Sequence, residues 1–293
     1  MAIALAIAAA LAVGGCGLQT QGRTGMVSLT LTRGFGAQKL GSATVAHPPA
    51  GATALGLLRR RFTVTLGPGG SVHTIDGRPA VGDAGRWSLY VNGVAARGDT
   101  RVHTGDRLWW DFRAARAAPP AVVGSFPEPF LHGLGGKRLP TTVECAGDVR
   151  AACNRVTAAL GRAGVPVASQ ALGAGSGQDS LAVVVGTWRD ISGELAATLL
   201  ARGPASSGVY ARFSGGRNPS LELLSAGGTA VQTLIAKAGL IAALAQNGAP
   251  PTWLVIGTDA AGVTAAARAF SGSRLREHFA LAVGGGRDLP LPR

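Results

Sequence analysis

Four polar side chains lie where a substrate site is expected in an open sheet of parallel strands. Thr187 and Asp190 follow one apolar run, and Thr258 and Asp259 follow another. Ligands of such sheets bind at the carboxyl ends of the strands, so these four residues are the natural candidates for a site. Thr and Asp are also the standard N-caps of helices, and the sequence leaves that alternative open.

The other residues with catalytic chemistry form no constellation in the sequence. The five histidines are scattered, and neither an HExxH nor a GxSxG motif occurs. The carboxylates Glu144 and Asp148, and likewise Asp190 and Glu194, match the negative charge that favours a helix N-terminus. The sequence therefore predicts a protein that is not an enzyme, with no metal and no cofactor.

Aromatic residues indicate a binding surface on two predicted strands. Both strands alternate in character, so Tyr90 and Trp109 lie on the sheet face opposite the apolar core row. Together with Asn92 and Asp111 they are the predicted ligand-binding residues, because an exposed aromatic ring stacks on a ligand ring. Two alternatives stay open. Tyr90 and Trp109 pack against the linker or the second domain, or Asn92–Gly93 serves only as a hairpin turn.

The elements that position these residues differ between the two halves of the chain. Up to about residue 115, short alternating strands and a helix with Thr53 as its N-cap predict a helix packed on a small sheet. From residue 141, buried strands such as 181–186 and 252–257 alternate with helices, and the longest helix is predicted over Thr229–Gln246. Such alternation is typical of an α/β sandwich.

Two motifs of the first half are specific in combination. They are the runs WSLYVNG at 87–93 and GDRLWWDFR at 105–113, and the strand VSLTLTRGFG at 27–36 precedes them. In these residues the segment 26–115 resembles the transcobalamin C-terminal-like β-grasp family. The resemblance implies a β-grasp fold that binds a soluble ligand or a protein and performs no chemistry. It also implies a small ring-bearing ligand of the cobalamin type.

The predicted organisation follows from these two halves. The fold class is α+β, with an N-terminal β-grasp domain at 26–115 followed by an α/β sandwich domain at 141–293. Between them, the segment 116–140 is rich in Pro and Gly and predicts an irregular linker. Phe126 and Phe130 predict that this linker is packed onto a domain.

The N-terminus predicts export. Residues 2–15 are uncharged and apolar, too few for a transmembrane helix of about 20 residues but typical of a secretory signal. The run LAVGGC ending at Cys16 resembles a bacterial lipobox, which implies a signal peptide over 1–16 and a lipid on Cys16. The protein is then lipid-anchored on the extracellular face of the cytoplasmic membrane. A buried apolar segment with an incidental cysteine is the alternative.

The other two cysteines predict a disulfide. An exported protein meets an oxidising compartment, where Cys145 and Cys153 can form a bond with each other. Two buried thiols or a metal pair are the alternatives.

The net charge bears on the class of partner. The chain has 28 basic and 15 acidic residues, a formal charge of +13. Its only dense basic run is Arg59–Arg61, so we expect a solvated surface and no nucleic-acid partner. An acidic partner or a membrane surface is the alternative.

These patterns together predict a cell-surface lipoprotein that captures a small ligand such as a cobalamin-like compound. We expect it to act as a non-enzymatic accessory protein that serves a membrane transporter. The alternative is a cell-envelope interaction module that binds cell-wall polymer or a membrane protein.

Overall fold

The computed structural model describes residues 25–78, 84–114, 119–177, 179–246 and 248–293. Cys16 and the predicted signal peptide at 1–16 lie outside the described residues. Within those ranges, every helix is too short or too polar to serve as a transmembrane segment.

The described residues between 25 and 114 form a five-stranded sheet, a two-stranded sheet and a short helix. Its elements are β1 (Met26–Arg33), β2 (Gln38–Ala46), α1 (Ala54–Arg59), β3 (Val64–Leu66), β4 (Val72–Ile75), β5 (Arg86–Val91), β6 (Val94–Ala96) and β7 (Arg107–Arg113). The larger sheet has the order β2-β1-β7-β5-β6. Strands β1 and β7 run parallel, and the other neighbours are antiparallel.

Local sequence explains how this sheet is built. The predicted Asn92–Gly93 turn is confirmed, because β5 and β6 pair directly across it and both residues have positive φ. The Thr53 side chain accepts a hydrogen bond from the Gly56 N–H and caps α1, as predicted. Alternate residues of β1 and β7 pack in one core with α1: Val27, Leu29, Leu31, Leu108, Trp110 and Phe112.

The part of the chain from residue 141 forms a seven-stranded mixed sheet and a three-stranded antiparallel sheet. Its strands are β8 (Thr141–Cys145), β9 (Val167–Ala171), β10 (Leu181–Thr187), β11 (Ala211–Ser214), β12 (Ser220–Leu224), β13 (Ala230–Leu234), β14 (Gly239–Leu244), β15 (Thr252–Gly257), β16 (Ala280–Gly284) and β17 (Arg287–Leu291). Its helices are α2 (Arg150–Arg162), α3 (Trp188–Ile191), α4 (Leu195–Ala201), α5 (Pro204–Ser207), α6 (Ala260–Ala269) and α7 (Gly272–Leu275).

The seven-stranded sheet has the order β17-β16-β14-β15-β10-β8-β9. Its strands β9, β8, β10 and β15 are parallel, and β14, β16 and β17 are antiparallel to their neighbours. One face packs against α2 and α6, and the other packs against α4 and the three-stranded sheet. Because both faces are covered, β10 and β15 are continuous apolar runs, and both predicted strands are confirmed.

The predicted fold class, α+β with a β-grasp domain and an α/β sandwich, is wrong. Strands hold 38% and helices 21% of the described residues, in four sheets, so this part of the protein is mostly β. The helix predicted over Thr229–Gln246 accounts for part of the error, because that segment forms β13 and β14. Every residue of β14 is buried in the middle of the sheet. A short apolar run without alternation does not distinguish such a strand from a buried helix.

The connecting segment 119–140 lies between the two large sheets and contacts both. Ala121 forms a bridge to Val94 of β6. On the other side, the rings of Phe126 and Phe130 pack against Trp253 with centroid separations of 6.1 and 5.0 Å. The phenylalanines that predicted a packed linker therefore belong to the core of the seven-stranded sheet.

Candidate functional site

The predicted aromatic binding face lies inside the protein. Tyr90 is 0% exposed and Trp109 is 3% exposed. Both rings contact Phe279, which precedes β16, with centroid separations of 5.4 and 5.0 Å. Packing against the second half of the chain, the alternative left open by the sequence, is what the structure shows for these two residues.

Asp111 is the centre of a buried hydrogen-bond network beneath that aromatic contact. Strand alternation places it on the same face of β7 as Trp109, and it is 0% exposed. Its carboxylate accepts hydrogen bonds from the Thr32 hydroxyl at 2.6 Å and from the N–H groups of Phe35 and Gly36 at 3.1 and 3.0 Å. The Trp109 indole N–H donates to the same Thr32 hydroxyl at 2.7 Å. A buried carboxylate with these partners stabilises the β1–β2 hairpin tip.

Arg113 compensates the charge of this carboxylate. Its Nη1 donates to Asp111 at 3.2 Å, and its Nη2 donates to the Tyr90 hydroxyl at 2.9 Å. The guanidinium also lies over the rings of Phe35 and Phe279, 5.3 and 5.0 Å from their centroids. Burial raises the pKa of Tyr90 well above its usual range, although the charge of Arg113 and its hydrogen bond oppose that shift.

Asn92 has a similar internal role at the other end of the sheet. It is 1% exposed, and its Nδ2 donates to Asp106 Oδ1 and to the Gly133 carbonyl, both at 2.8 Å. Its Oδ1 accepts a hydrogen bond from the Arg107 N–H at 2.9 Å. The side chain therefore joins the β5–β6 turn, the start of β7 and the connecting segment.

A cleft of about 570 Å³ opens between β1, the connecting segment and the turn after α7. Its polar lining includes Ser28, Thr30, Thr44, Arg107, His132 and Arg276, and its apolar lining includes Met26, Leu108, Trp109 and Leu131. Of the four residues predicted to bind a ligand, only Trp109 lines this cleft. The hydroxyls reach it because β1 alternates, with the apolar residues facing the core on the other side.

Glu128 and His132 form a pair in the wall of the cleft that sequence reasoning missed. Glu128 is 1% exposed, and its two carboxylate oxygens bond the His132 backbone N–H at 2.9 Å and the ring Nδ1 at 2.6 Å. The His132 side chain is 41% exposed. A signal was present, since Glu and His four residues apart lie in the Pro-rich run FPEPFLH. The density of Pro and Gly around this run predicts a linker, and a linker pattern does not single out side chains as a site.

The four candidates at the carboxyl edge of the parallel strands do lie around one cavity, of about 590 Å³. Asp190 and Thr187 form a capping box at α3. Asp259 caps α6 by accepting a hydrogen bond from the Gly262 N–H at 2.8 Å. The Thr258 hydroxyl bonds the backbone of Ala238. Each of these side chains has a structural partner, as the capping alternative predicts for Thr187 and Asp259.

Cys145 at the end of β8 and Cys153 in α2 are joined by a disulfide, with their Cα atoms 6.0 Å apart. Throughout the described ranges, no three His, Cys, Asp or Glu side chains are grouped as a metal site requires.

No protein-family model and no curated protein matches the chain. The resemblance to the transcobalamin-like family therefore stays a prediction.

Proposed function

We propose that this protein is a lipoprotein on the extracellular face of the cytoplasmic membrane that captures a small ring-bearing ligand for a membrane transporter. The observation that carries the proposal is the cleft of about 570 Å³. Its volume is within the range of small-molecule sites, about 300–1,000 Å³, and it combines apolar walls with a few polar groups, as such sites do. The lipid anchor rests on the run that ends at Cys16.

The ligand position differs from the one predicted from the sequence. Tyr90, Asn92 and Asp111 are buried and hydrogen-bonded within the protein. The proposed site is therefore the cleft, where Trp109 and Leu131 supply apolar contact and the hydroxyls of β1 supply hydrogen bonds. The Cys145–Cys153 disulfide supports an oxidising compartment outside the cytoplasm.

The capture function is tested by titration calorimetry with corrinoids and related ring compounds. A Leu131→Trp variant fills the cleft, and Leu195→Trp is its matched control, because Leu195 is 66% exposed on α4 and does not line the cleft. We expect at least one compound to bind both the unmodified protein and the Leu195→Trp control, and not to bind Leu131→Trp. The absence of heat for every compound, or binding that Leu131→Trp leaves unchanged, would overturn the proposal.

A second candidate function, an envelope interaction module, is favoured by β13. This strand lies at the edge of the three-stranded sheet, and the residues Ala230–Leu234 carry no charge. Val231 is 55% exposed, and Ile235 just beyond the strand is 79% exposed. An uncharged open edge accepts a strand from a partner protein.

Photo-crosslinking in cells from position 231 tests this alternative. We expect the parent protein to form a crosslinked product with a membrane protein, and we expect this product to disappear when Ile235→Lys is crosslinked from the same position. A Leu195→Lys variant is the control and should retain the product. If no product forms, or if Ile235→Lys retains it, the edge of β13 is not the docking site.

A further inference from the structure

We infer that the ligand of the cleft carries an acidic group, a carboxylate or a phosphate, that binds Arg276 and His132. This inference rests on the proposed capture function and names the chemical class of the ligand. It follows from the charges in the cleft wall and from the polar atoms there that have no partner within the protein.

Arg276 supplies a cation without an internal partner. It follows α7, lines the cleft and is exposed. It makes no hydrogen bond or ion pair with any residue in the described part of the chain. A guanidinium presents several N–H donors in one plane, a geometry that matches carboxylate and phosphate oxygens.

The acidic residues of the cleft already have partners. Glu128 is buried and has both carboxylate oxygens on His132. Glu277 lies 3.3 Å from the Lys39 ammonium. Neither carboxylate forms an ion pair with Arg276 in the described part of the chain, so an anion from solution is a complementary partner.

His132 lines the cleft, and one of its ring nitrogens has no hydrogen-bond partner among the described residues. Its Nδ1 is engaged by Glu128 at 2.6 Å, which orients the ring and leaves Nε2 as its other polar atom. Gly105 packs against that side of the ring so closely that a Cβ there would lie 2.6 Å from Nε2. When the ring is protonated, Nε2 donates a hydrogen bond to an acidic oxygen, and the Glu128 carboxylate compensates the positive charge.

The remaining lining accommodates the rest of such a ligand. The hydroxyls of Ser28, Thr30 and Thr44 line the cleft and make no side-chain hydrogen bond to the residues that the structure describes. Ser28 and Thr44 are direct neighbours across the β1–β2 pair. Met26 and Leu131, both half-buried, supply apolar surface in the lining.

The test compares benzoate, phenyl phosphate and benzamide as probes of the full-length protein in detergent. Benzoate and benzamide share a ring and nearly the same shape, but only benzoate is charged. We expect benzoate or phenyl phosphate to bind about tenfold more tightly than benzamide, since one charge-assisted contact supplies a difference of that order. The ratio between the two anions distinguishes a carboxylate site from a phosphate site.

Three variants show where in the protein the anionic probe binds. Arg276→Gln should weaken binding of the preferred anion about tenfold, and His132→Asn should weaken it as well. Arg287→Gln is the matched control, because Arg287 is exposed on β17 and does not line the cleft, and it should leave the affinity unchanged.

The inference is overturned if benzamide binds as tightly as both anions, if none of the three probes binds, or if Arg276→Gln leaves the anion affinity unchanged. Tight binding of benzamide that Leu131→Trp abolishes would leave the capture function standing and remove only the acidic group. The capture function is tested separately, by the titration with corrinoids and related ring compounds, and it fails if none of those compounds binds.

Discussion

The Asp111 carboxylate and the Thr32 hydroxyl are 2.6 Å apart, and neither residue is exposed to solvent. They belong to adjacent parallel strands, β7 and β1, and are direct neighbours in the register of the sheet. The same carboxylate bonds the N–H groups of the β1–β2 hairpin tip, which contacts the second half of the chain through Phe35. One carboxylate thus couples strand pairing to the contact between the halves.

Asp111→Ala should be strongly destabilising. It leaves the buried guanidinium of Arg113 without its carboxylate and removes an acceptor from Thr32. Breaking a buried pair costs about 3–5 kcal/mol, which urea unfolding followed by tryptophan fluorescence would measure. Asp99→Ala is the control, because both side chains of its ion pair with Arg97 are well exposed, and it should cost less than about 1 kcal/mol. Equal effects of the two substitutions would contradict the buried network.

Gly36→Ala tests the docking of the hairpin tip. A Cβ at Gly36 would lie 1.7 Å from the Glu277 carbonyl oxygen, and the residue has φ +83°. Gly51→Ala has a similar φ of +74° but no atom within 4 Å of the added Cβ. Both variants lose about 1 kcal/mol from left-handed strain, so the clash should make Gly36→Ala the less stable by calorimetric Tm. Identical Tm values would show that the tip is not held against Glu277.

The folded protein should resist tyrosine ionisation. Burial raises the pKa of Tyr90 and Tyr210, with the positive charge of Arg113 opposing both shifts. These are the two tyrosines of the chain. Their contribution to stability is complete below the unfolded pKa of about 10 and is lost as pH rises above it, because the unfolded chain releases its protons first.

Absorbance at the phenolate band measures this directly. The native protein should show no full tyrosine titration near pH 10, whereas the chain unfolded in guanidinium should titrate there. Tyr90→Phe should leave one tyrosine with a raised pKa. A native titration curve that coincides with the unfolded one would refute the burial of both hydroxyls.

Reduction of the disulfide should lower stability moderately. Cys145 and Cys153 are separated by eight positions, and closing a loop of that size stabilises by about 2.5 kcal/mol in the chain-entropy treatment. Dithiothreitol should therefore lower the urea midpoint of the unmodified protein. A variant with Cys145→Ala and Cys153→Ala starts lower and should not respond to the reductant. A response in that variant would mean that the reductant acts elsewhere.

Cys16→Ser should release the protein from the membrane. The lipobox-like run predicts that the Cys16 sulfur carries the lipid, and serine has no sulfur to acylate. Cell fractionation and labelling with an alkyne fatty acid should show label and membrane association for the unmodified protein only. Cys145→Ala is the control and should stay labelled. Label that persists in Cys16→Ser would refute the anchor.

Local sequence patterns were sufficient to predict several elements and the sheet face on which their side chains lie. The Asn92–Gly93 turn, the Thr53 cap and strands β10 and β15 follow from nearest-neighbour chemistry. Alternation also placed Trp109 and Asp111 together on one face of β7. Backbone conformation and strand pleating decide these features within a few residues.

Only the tertiary structure decided what each face meets. Tyr90 and Trp109 contact Phe279, which lies 189 and 170 positions further along the chain, so no local pattern distinguishes that burial from an exposed binding surface. The segment predicted as one helix became β13 and β14 because neighbouring strands cover β14 on both sides. Likewise, the cleft forms where β1, the connecting segment and Arg276 come together, and Glu128 and His132 lie in its wall. Such contacts depend on long-range packing, which outweighs local propensity once a segment is buried.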